Sequence, residues 1–153
     1  MSGMDPELFE QFIDQLERYV RERLIPAERE VIANDRIPDA IVQEMRDMGL
    51  FGLTVPEEYG GIGLSVSQEV LVNYELGRTA TAFRSVFGTN IGIGSQGILM
   101  DGTPEQKAEY LPKVASGELI MSFALTEPDA GTDAASLKTR AEADGDHYVL
   151  NGT

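Results

Sequence analysis

Apolar residues at three- and four-residue spacing predict a series of helices in the first part of the chain. The first stripe follows Asp5-Pro6-Glu7, where a capping side chain, a first-turn proline and an acid favour a helix start. Pro26 is expected to end or kink this helix, and residues 27–34 to add a short second piece. A further helix is predicted to begin at Pro38 and to stop at Gly49.

Proline, glycine and capping residues divide the following stretch. Residues 50–64 are rich in glycine and proline and predict a long loop. Ser65 with Gln68, or Ser67 as the cap itself, predicts a helix that runs to about Arg78.

Two further helices are predicted behind this one. Residues 81–100 are apolar all round, which predicts one central buried helix. The sequence Thr103-Pro104-Glu105-Gln106 has the form of a capping box and predicts a last helix that ends near Ala115.

After Gly117 the pattern changes to short apolar runs typical of strands. We predict a strand over residues 119–125 and a hairpin around Asp144-Gly145-Asp146. Helices followed by strands without alternation indicate two domains, a helical one at 1–117 and a β segment at 118–153. The expected fold is therefore mainly α: a helical bundle followed by an incomplete β segment. So few strands cannot close a core, and we expect the chain to be truncated.

Charge and composition exclude several classes of function. The 153 residues include 12 Lys and Arg against 26 Asp and Glu, a net charge of −14, which disfavours nucleic-acid and membrane-surface partners. With no cysteine and only His147, we expect no thiolate or histidine-rich metal site. The first residues lack the features of a signal peptide, so a cytoplasmic location is expected.

Some motifs are better explained by structure than by chemistry. Residues 92–97 match a dinucleotide-binding fingerprint, but the flanks predict helix rather than strand, which favours small residues used for close packing. The glycines at 60–63 lack the lysine of a phosphate loop. The acids at 129–133 and 144–146 lack calcium-ligand spacing and are better explained as turn residues.

Unlike these motifs, the segment 123–133 combines residues that could bind a ligand. A predicted strand carries the Thr126 hydroxyl to its end, and a loop with Gly131 and Thr132 follows. Such a loop could bond the polar edge of a flat ring and then a pyrophosphate, although composition alone favours a plain strand and turn.

This segment and its neighbours closely resemble the acyl-CoA dehydrogenase family. Matching blocks occur in the family's order along nearly the whole chain: residues 55–61, 102–107, 110–112, 115–118, 123–133, 135–141 and 145–153. The resemblance implies a flavoenzyme that oxidises the Cα–Cβ bond of an acyl-CoA thioester with FAD. It further implies an electron-transfer flavoprotein as electron acceptor and a homo-oligomer.

The resemblance also implies roles for single residues. Phe123, Ala124, Leu125 and Thr126 are expected to line the flavin, with Thr126 bonding its pyrimidine edge. Gly131 and Thr132 are expected to meet the FAD pyrophosphate, and Thr132, which replaces the family's usual serine, also the thioester arm of the substrate. The catalytic glutamate is expected beyond Thr153, so no acid of this chain is assigned that role. Because half of the ring contacts would be missing, this piece alone is not expected to retain FAD.

Arg84 is the candidate for substrate specificity. In an otherwise apolar helix its guanidinium needs an anionic partner, because an unpaired buried charge is costly. Together with Ser85 it resembles the pair in glutaryl-CoA dehydrogenases, where the arginine holds the terminal carboxylate of the substrate. The alternative is a structural ion pair with an acid such as Glu75. A non-catalytic helical interaction module, a same-fold acyl-CoA oxidase and a flavin monooxygenase remain alternative functions.

Overall fold

A computed structural model describes residues 3–153 of the chain. Its elements are seven α-helices and two strands: α1 (Pro6–Tyr19), α2 (Ile25–Asn34), α3 (Asp39–Asp47), α4 (Val66–Leu76), α5 (Thr81–Ile91), α6 (Ile93–Asp101), α7 (Pro104–Ala115), β1 (Arg140–Asp144) and β2 (His147–Asn151). Two compact units result: a helical unit that ends at Ser122 and a strand unit, Phe123–Thr153. Along the described residues, no helix combines the length and apolarity that a membrane crossing requires.

The first helical stretch does not end at Pro26, as expected from the sequence, but its hydrogen-bond pattern changes just before this residue. Asp5 caps α1, with its carboxylate accepting the N–H of Glu7 at 2.9 Å and of Leu8 at 3.3 Å. A π-helical turn, Val20–Leu24, joins α1 to α2, and Pro26 lies in the first turn of α2. The missing N–H of proline is tolerated there because first-turn N–H groups have no intrahelical partner.

Local capping chemistry places the starts of α4 and α7 where the sequence predicts them. Both helices begin with a complete capping box, Ser65 with Gln68 and Thr103 with Gln106. The stop after α3 is also confirmed, because Gly49 adopts a left-handed conformation with φ of 73°.

The core of the helical unit is closed and aromatic. Phe51 and Phe87 are fully buried and meet edge to face with ring centroids 6.0 Å apart. The predicted loop at 50–64 contains two 3₁₀ turns, Leu50–Gly52 and Glu57–Tyr59. It contributes to the core as strongly as a helix does, with these fully buried side chains: Leu50, Phe51, Leu53 and Val55.

The prediction of a single central helix over residues 81–100 is wrong. Gly92 leaves helical geometry at φ −115° and ψ −117°, which separates α5 from α6. The second half is also less buried than expected, since Ile93 is 60% and Met100 75% exposed. An apolar pattern that continues through a glycine does not show that the backbone turns there.

The strand expected over residues 119–125 is also not formed, because residues 120–126 belong to no regular element. A strand needs a neighbour for its ladder, and among the described residues this segment has none. The hairpin is confirmed: β1 and β2 are antiparallel, from the pair Arg140 and Asn151 to the pair Asp144 and His147. Gly145, at φ 68°, supplies the conformation that a two-residue hairpin turn needs.

Candidate functional site

The chain after Thr126 is held in a tight turn. Glu127 and Ala130 exchange two backbone hydrogen bonds, of 3.0 and 3.2 Å, around Pro128 and Asp129. Proline at the second position of such a turn has the required φ before folding. Because the turn lies between Thr126 and Gly131, it fixes the backbone on both sides: at Thr126 before it and at the loop with Gly131 and Thr132 after it.

Glu127 anchors this turn to the start of the hairpin. Its two carboxylate oxygens accept the backbone N–H groups of Lys138 and Thr139, each at 2.8 Å. Hydrogen bonding by Thr139, and next by the backbone of Lys138, lowers the pKa of this carboxyl group. The sequence analysis did not predict this anchoring role of Glu127. The available signal was its position between Thr126 and Pro128, at the start of the turn.

Of the predicted flavin contacts, three share one surface. Ala124, Leu125 and Thr126 line a hollow of about 310 Å³. Its remaining lining residues also belong to the strand unit: Glu127, Thr139, Leu150, Gly152 and Thr153. The structure does not place Phe123, Gly131 or Thr132 in that lining.

The loop residues leave hydrogen-bond donors unused. Within residues 3–153, the hydroxyls of Thr126 and Thr132 and the N–H groups of Gly131 and Thr132 bond to no protein group. A Cβ added to Gly131 would meet no atom within 4 Å, so its backbone is open to a close approach. Hydroxyl and N–H donors suit the acceptor edge of a flavin and a pyrophosphate, and the chemistry of these residues therefore fits FAD.

Arg84 in α5 has a neutral partner. Its Nε donates to Oδ1 of Asn73 in α4 at 3.1 Å, and the residue is half-buried. In the described part of the chain, no carboxylate oxygen lies within 4.0 Å of its guanidinium. The expected alternative, an ion pair with Glu75, is not formed.

Glu75 is paired elsewhere. One oxygen of this buried carboxylate meets Nε of Arg78 at 3.0 Å, while the other is buried without a partner among the described residues. Asn73 and Glu75 are two positions apart on α4, so they project from different sides of it, and only Asn73 reaches Arg84.

Asn90 fixes the chain where it leaves the helical unit. This fully buried side chain donates to the carbonyls of Val114 at 3.0 Å and Leu119 at 2.8 Å, and it accepts the N–H of Met121 at 2.8 Å. One amide thereby bonds three backbone groups, one in the last turn of α7 and two beyond this helix. Met121 comes two residues before Phe123, so Asn90 fixes the backbone just before residues 123–126, the candidate flavin segment. Sequence reasoning did not single it out.

The glycines at 92–97 serve packing at one point, as predicted. A Cβ on Gly94 would lie 2.4 Å from Cβ of Met121, so only glycine permits this approach. Helix α5 precedes Gly92 and residues 93–97 lie within α6, which contradicts the strand that a dinucleotide fold requires before its glycines.

Comparisons with known proteins assign the helical unit to a family. The acyl-CoA dehydrogenase N-terminal domain family matches residues 6–118. A (2S)-methylsuccinyl-CoA dehydrogenase from Cereibacter sphaeroides is 45% identical over 152 residues, which cover 99% of this chain and 27% of that protein.

Solved structures of acyl-CoA dehydrogenases are also similar to this chain. A Bacillus anthracis acyl-CoA dehydrogenase complexed with FAD matches with a TM-score of 0.80 and 36% identity, over 98% of this chain and 27% of the other. A glutaryl-coenzyme A dehydrogenase in complex with glutaryl-CoA matches with a TM-score of 0.85 and 30% identity, over 99% and 39%.

The helical unit thus has the fold of a known N-terminal dehydrogenase domain. The chain belongs to the acyl-CoA dehydrogenase family, as its sequence motifs predict. It spans between 27% and 39% of the length of these relatives.

Proposed function

We propose that this chain is the N-terminal part of an FAD-dependent acyl-CoA dehydrogenase that oxidises the Cα–Cβ bond of an acyl-CoA thioester. Family membership, shown by the match over residues 6–118, is the observation that carries this proposal. The complete activity belongs to a longer protein, in which another segment supplies the carboxylate that removes the α-proton. No acid within the 153 residues is assigned that role.

The strand unit is proposed to hold part of the cofactor. When bound, FAD supplies the acceptor for the hydride that leaves Cβ. Thr126 donates its hydroxyl to the pyrimidine edge, with Phe123, Ala124 and Leu125 beside the ring. Gly131 and Thr132 donate to the pyrophosphate, and Thr132 also to the thioester arm. Their unused donors and the open backbone at Gly131 support this assignment.

The cofactor proposal is tested by comparing the 153-residue chain with the intact enzyme after gel filtration. The chain alone is expected to be colourless, because it supplies only part of the ring contacts, whereas the intact enzyme is expected to carry FAD. In the intact enzyme, Thr126→Val is expected to lower FAD retention, and Thr153→Val, a control on the same hollow, to lower it less. Stoichiometric FAD on the isolated chain would contradict the proposed division of contacts.

The substrate is proposed to be the thioester of a dicarboxylic acid, with Arg84 binding its free carboxylate. The supporting observation is a half-buried guanidinium without a carboxylate partner within the described residues. Guanidinium groups bind carboxylates in a bidentate geometry. The names of two relatives, methylsuccinyl-CoA and glutaryl-CoA dehydrogenase, also specify dicarboxylic substrates.

Arg84→Met in the intact enzyme tests this assignment. Turnover of glutaryl-CoA is expected to fall by at least tenfold relative to turnover of butyryl-CoA, because only the former carries a terminal carboxylate. Arg29→Met, which removes an exposed arginine of α2, is the control for the loss of one positive charge. An equal loss on both substrates, or none on either, would assign Arg84 to the scaffold.

The proposed partners follow from the same family. We propose a cytoplasmic homo-oligomer that passes its electrons to an electron-transfer flavoprotein. Reduced enzyme is expected to be reoxidised rapidly by such a flavoprotein and slowly by oxygen in stopped-flow measurements. Fast reoxidation by oxygen with release of hydrogen peroxide would instead identify an acyl-CoA oxidase.

A further inference from the structure

We propose that Asn73 and Gly88 are positioning residues that present Arg84, with its charge un-neutralised, to the terminal carboxylate of a dicarboxylic acyl-CoA. This inference rests on the role proposed above for Arg84. It adds two residues, one on α4 and one on α5, that act on the substrate only through the guanidinium.

Asn73 is fixed before it meets Arg84. Its Nδ2 donates to the backbone carbonyl of Glu69 at 3.0 Å and reaches a side-chain oxygen of Glu69 at 3.5 Å. The opposite atom of the amide, Oδ1, therefore faces Arg84 and accepts from its Nε at 3.1 Å. A hydrogen bond to Nε constrains the guanidinium plane and leaves both Nη groups free for a bidentate partner.

Because Asn73 is neutral, it orients Arg84 without neutralising the positive charge of the guanidinium. Half-buried Arg23 illustrates the other outcome, because its Nε lies 2.9 Å from a carboxylate oxygen of Glu44. Arg84 is oriented by an amide oxygen instead, so its full positive charge remains for a ligand. Neither Nη atom is both buried and unpartnered, which is consistent with access from outside the helical unit.

Gly88 provides the space in which the guanidinium lies. It follows Arg84 by one turn of α5, and a Cβ added there would lie 2.6 Å from Nη1 and 2.9 Å from Cζ of Arg84. Any side chain at position 88 would therefore displace the guanidinium. The atoms that must move belong to a flexible side chain, so the change alters the position of the charge at little cost to the fold.

The test uses two variants in the intact enzyme. Asn73→Asp places a carboxylate within reach of Nε and is expected to turn Arg84 into an internal ion pair. Gly88→Ala is expected to displace the guanidinium without changing any charge. Each should lower the ratio of kcat/KM for glutaryl-CoA to that for butyryl-CoA by at least fivefold, mainly through a higher KM for glutaryl-CoA.

Gly97→Ala is the matched control, because a Cβ at this glycine of α6 meets no atom within 4 Å. It should leave the selectivity ratio unchanged, and thermal unfolding verifies that all variants fold. If Arg84→Met lowers the ratio while Asn73→Asp and Gly88→Ala do not, the positioning role is wrong and the substrate proposal stands. If Arg84→Met itself leaves the ratio unchanged, both are wrong.

Discussion

The helical unit and the strand unit differ in what holds them together. The helical unit closes around a continuous apolar core in which Phe51, Phe83 and Phe87 have no exposed surface. In the strand unit, Ala130 is the one buried apolar residue of the described part, while Tyr148 and Leu150 of β2 are more than 70% exposed. Side-chain burial therefore stabilises one unit, and backbone hydrogen bonds with an anchoring carboxylate organise the other. The candidate flavin residues therefore lie in the unit with little side-chain burial, where several hydrogen-bond donors of the described chain have no protein partner.

Core truncation should show the largest difference between the units. Phe87→Ala is expected to lower the free energy of unfolding of the helical unit by about 3–5 kcal/mol, because it removes a fully buried ring. Leu150→Ala in the hairpin should change it by less than about 0.5 kcal/mol. Denaturant unfolding followed by helical circular dichroism measures both, and similar effects would contradict the contrast.

The second test concerns the buried amide at the exit of the helical unit. Asn90→Ala is expected to lower the free energy of unfolding by about 3 kcal/mol, since three backbone groups, one buried and two partly buried, lose a hydrogen bond at about 1 kcal/mol each. Asn34→Ala, at the exposed end of α2, is the control and should cost less than about 1 kcal/mol. Equal losses would show that the exit segment is not anchored by Asn90.

Two glycines with similar φ angles allow backbone strain to be separated from side-chain packing. Gly117 has φ of 73° and Gly145 φ of 68°, but a Cβ at Gly117 would lie 2.8 Å from the Phe51 ring, whereas a Cβ at Gly145 would meet open space. Alanine at either position is expected to cost about 1–3 kcal/mol in backbone strain. The clash adds to this only at Gly117, so Gly117→Ala should lower the melting temperature more than Gly145→Ala does.

The smallest expected effect is local and depends on pH. The pKa of Glu127 is lowered in the folded chain from its ordinary value of 4.5, so its contribution is present above that value and is lost as the pH falls through the lowered one. Relative to the intrinsic exchange rates of free amides at each pH, the N–H groups of Lys138 and Thr139 should therefore be less protected in acid. Glu127→Gln should lower this protection at every pH, and Glu142→Gln on β1, the control, should keep its pH dependence.

Features that depend on neighbouring residues were predictable from the sequence. Both capping boxes, at Ser65 and Thr103, and the hairpin turn at Gly145 are local chemistry, and they form where the sequence places them. The family was also predictable, because its motifs occur in order along the chain.

Features that depend on distant partners were not predictable. The segment 119–125 has strand composition, but a strand needs a ladder partner, and here the backbone of Leu119 and Met121 bonds to Asn90 instead. The partner of Arg84 was also missed. Asn73 and Glu75 both lie on α4, about ten residues before Arg84. Only the packing of α4 against α5 decides which of the two bonds to the guanidinium.

The central claim is that the backbone N–H groups of the candidate flavin segment have no protein partner. Hydrogen exchange along the whole 153-residue chain tests this claim most directly. The amides of Phe87 and Ile91, inside the core of the helical unit, are expected to exchange only through its global unfolding. The amides of residues 123–126 donate to no protein acceptor within the described chain and should exchange at nearly unprotected rates. Protection of residues 123–126 comparable with that of α5 would contradict the account.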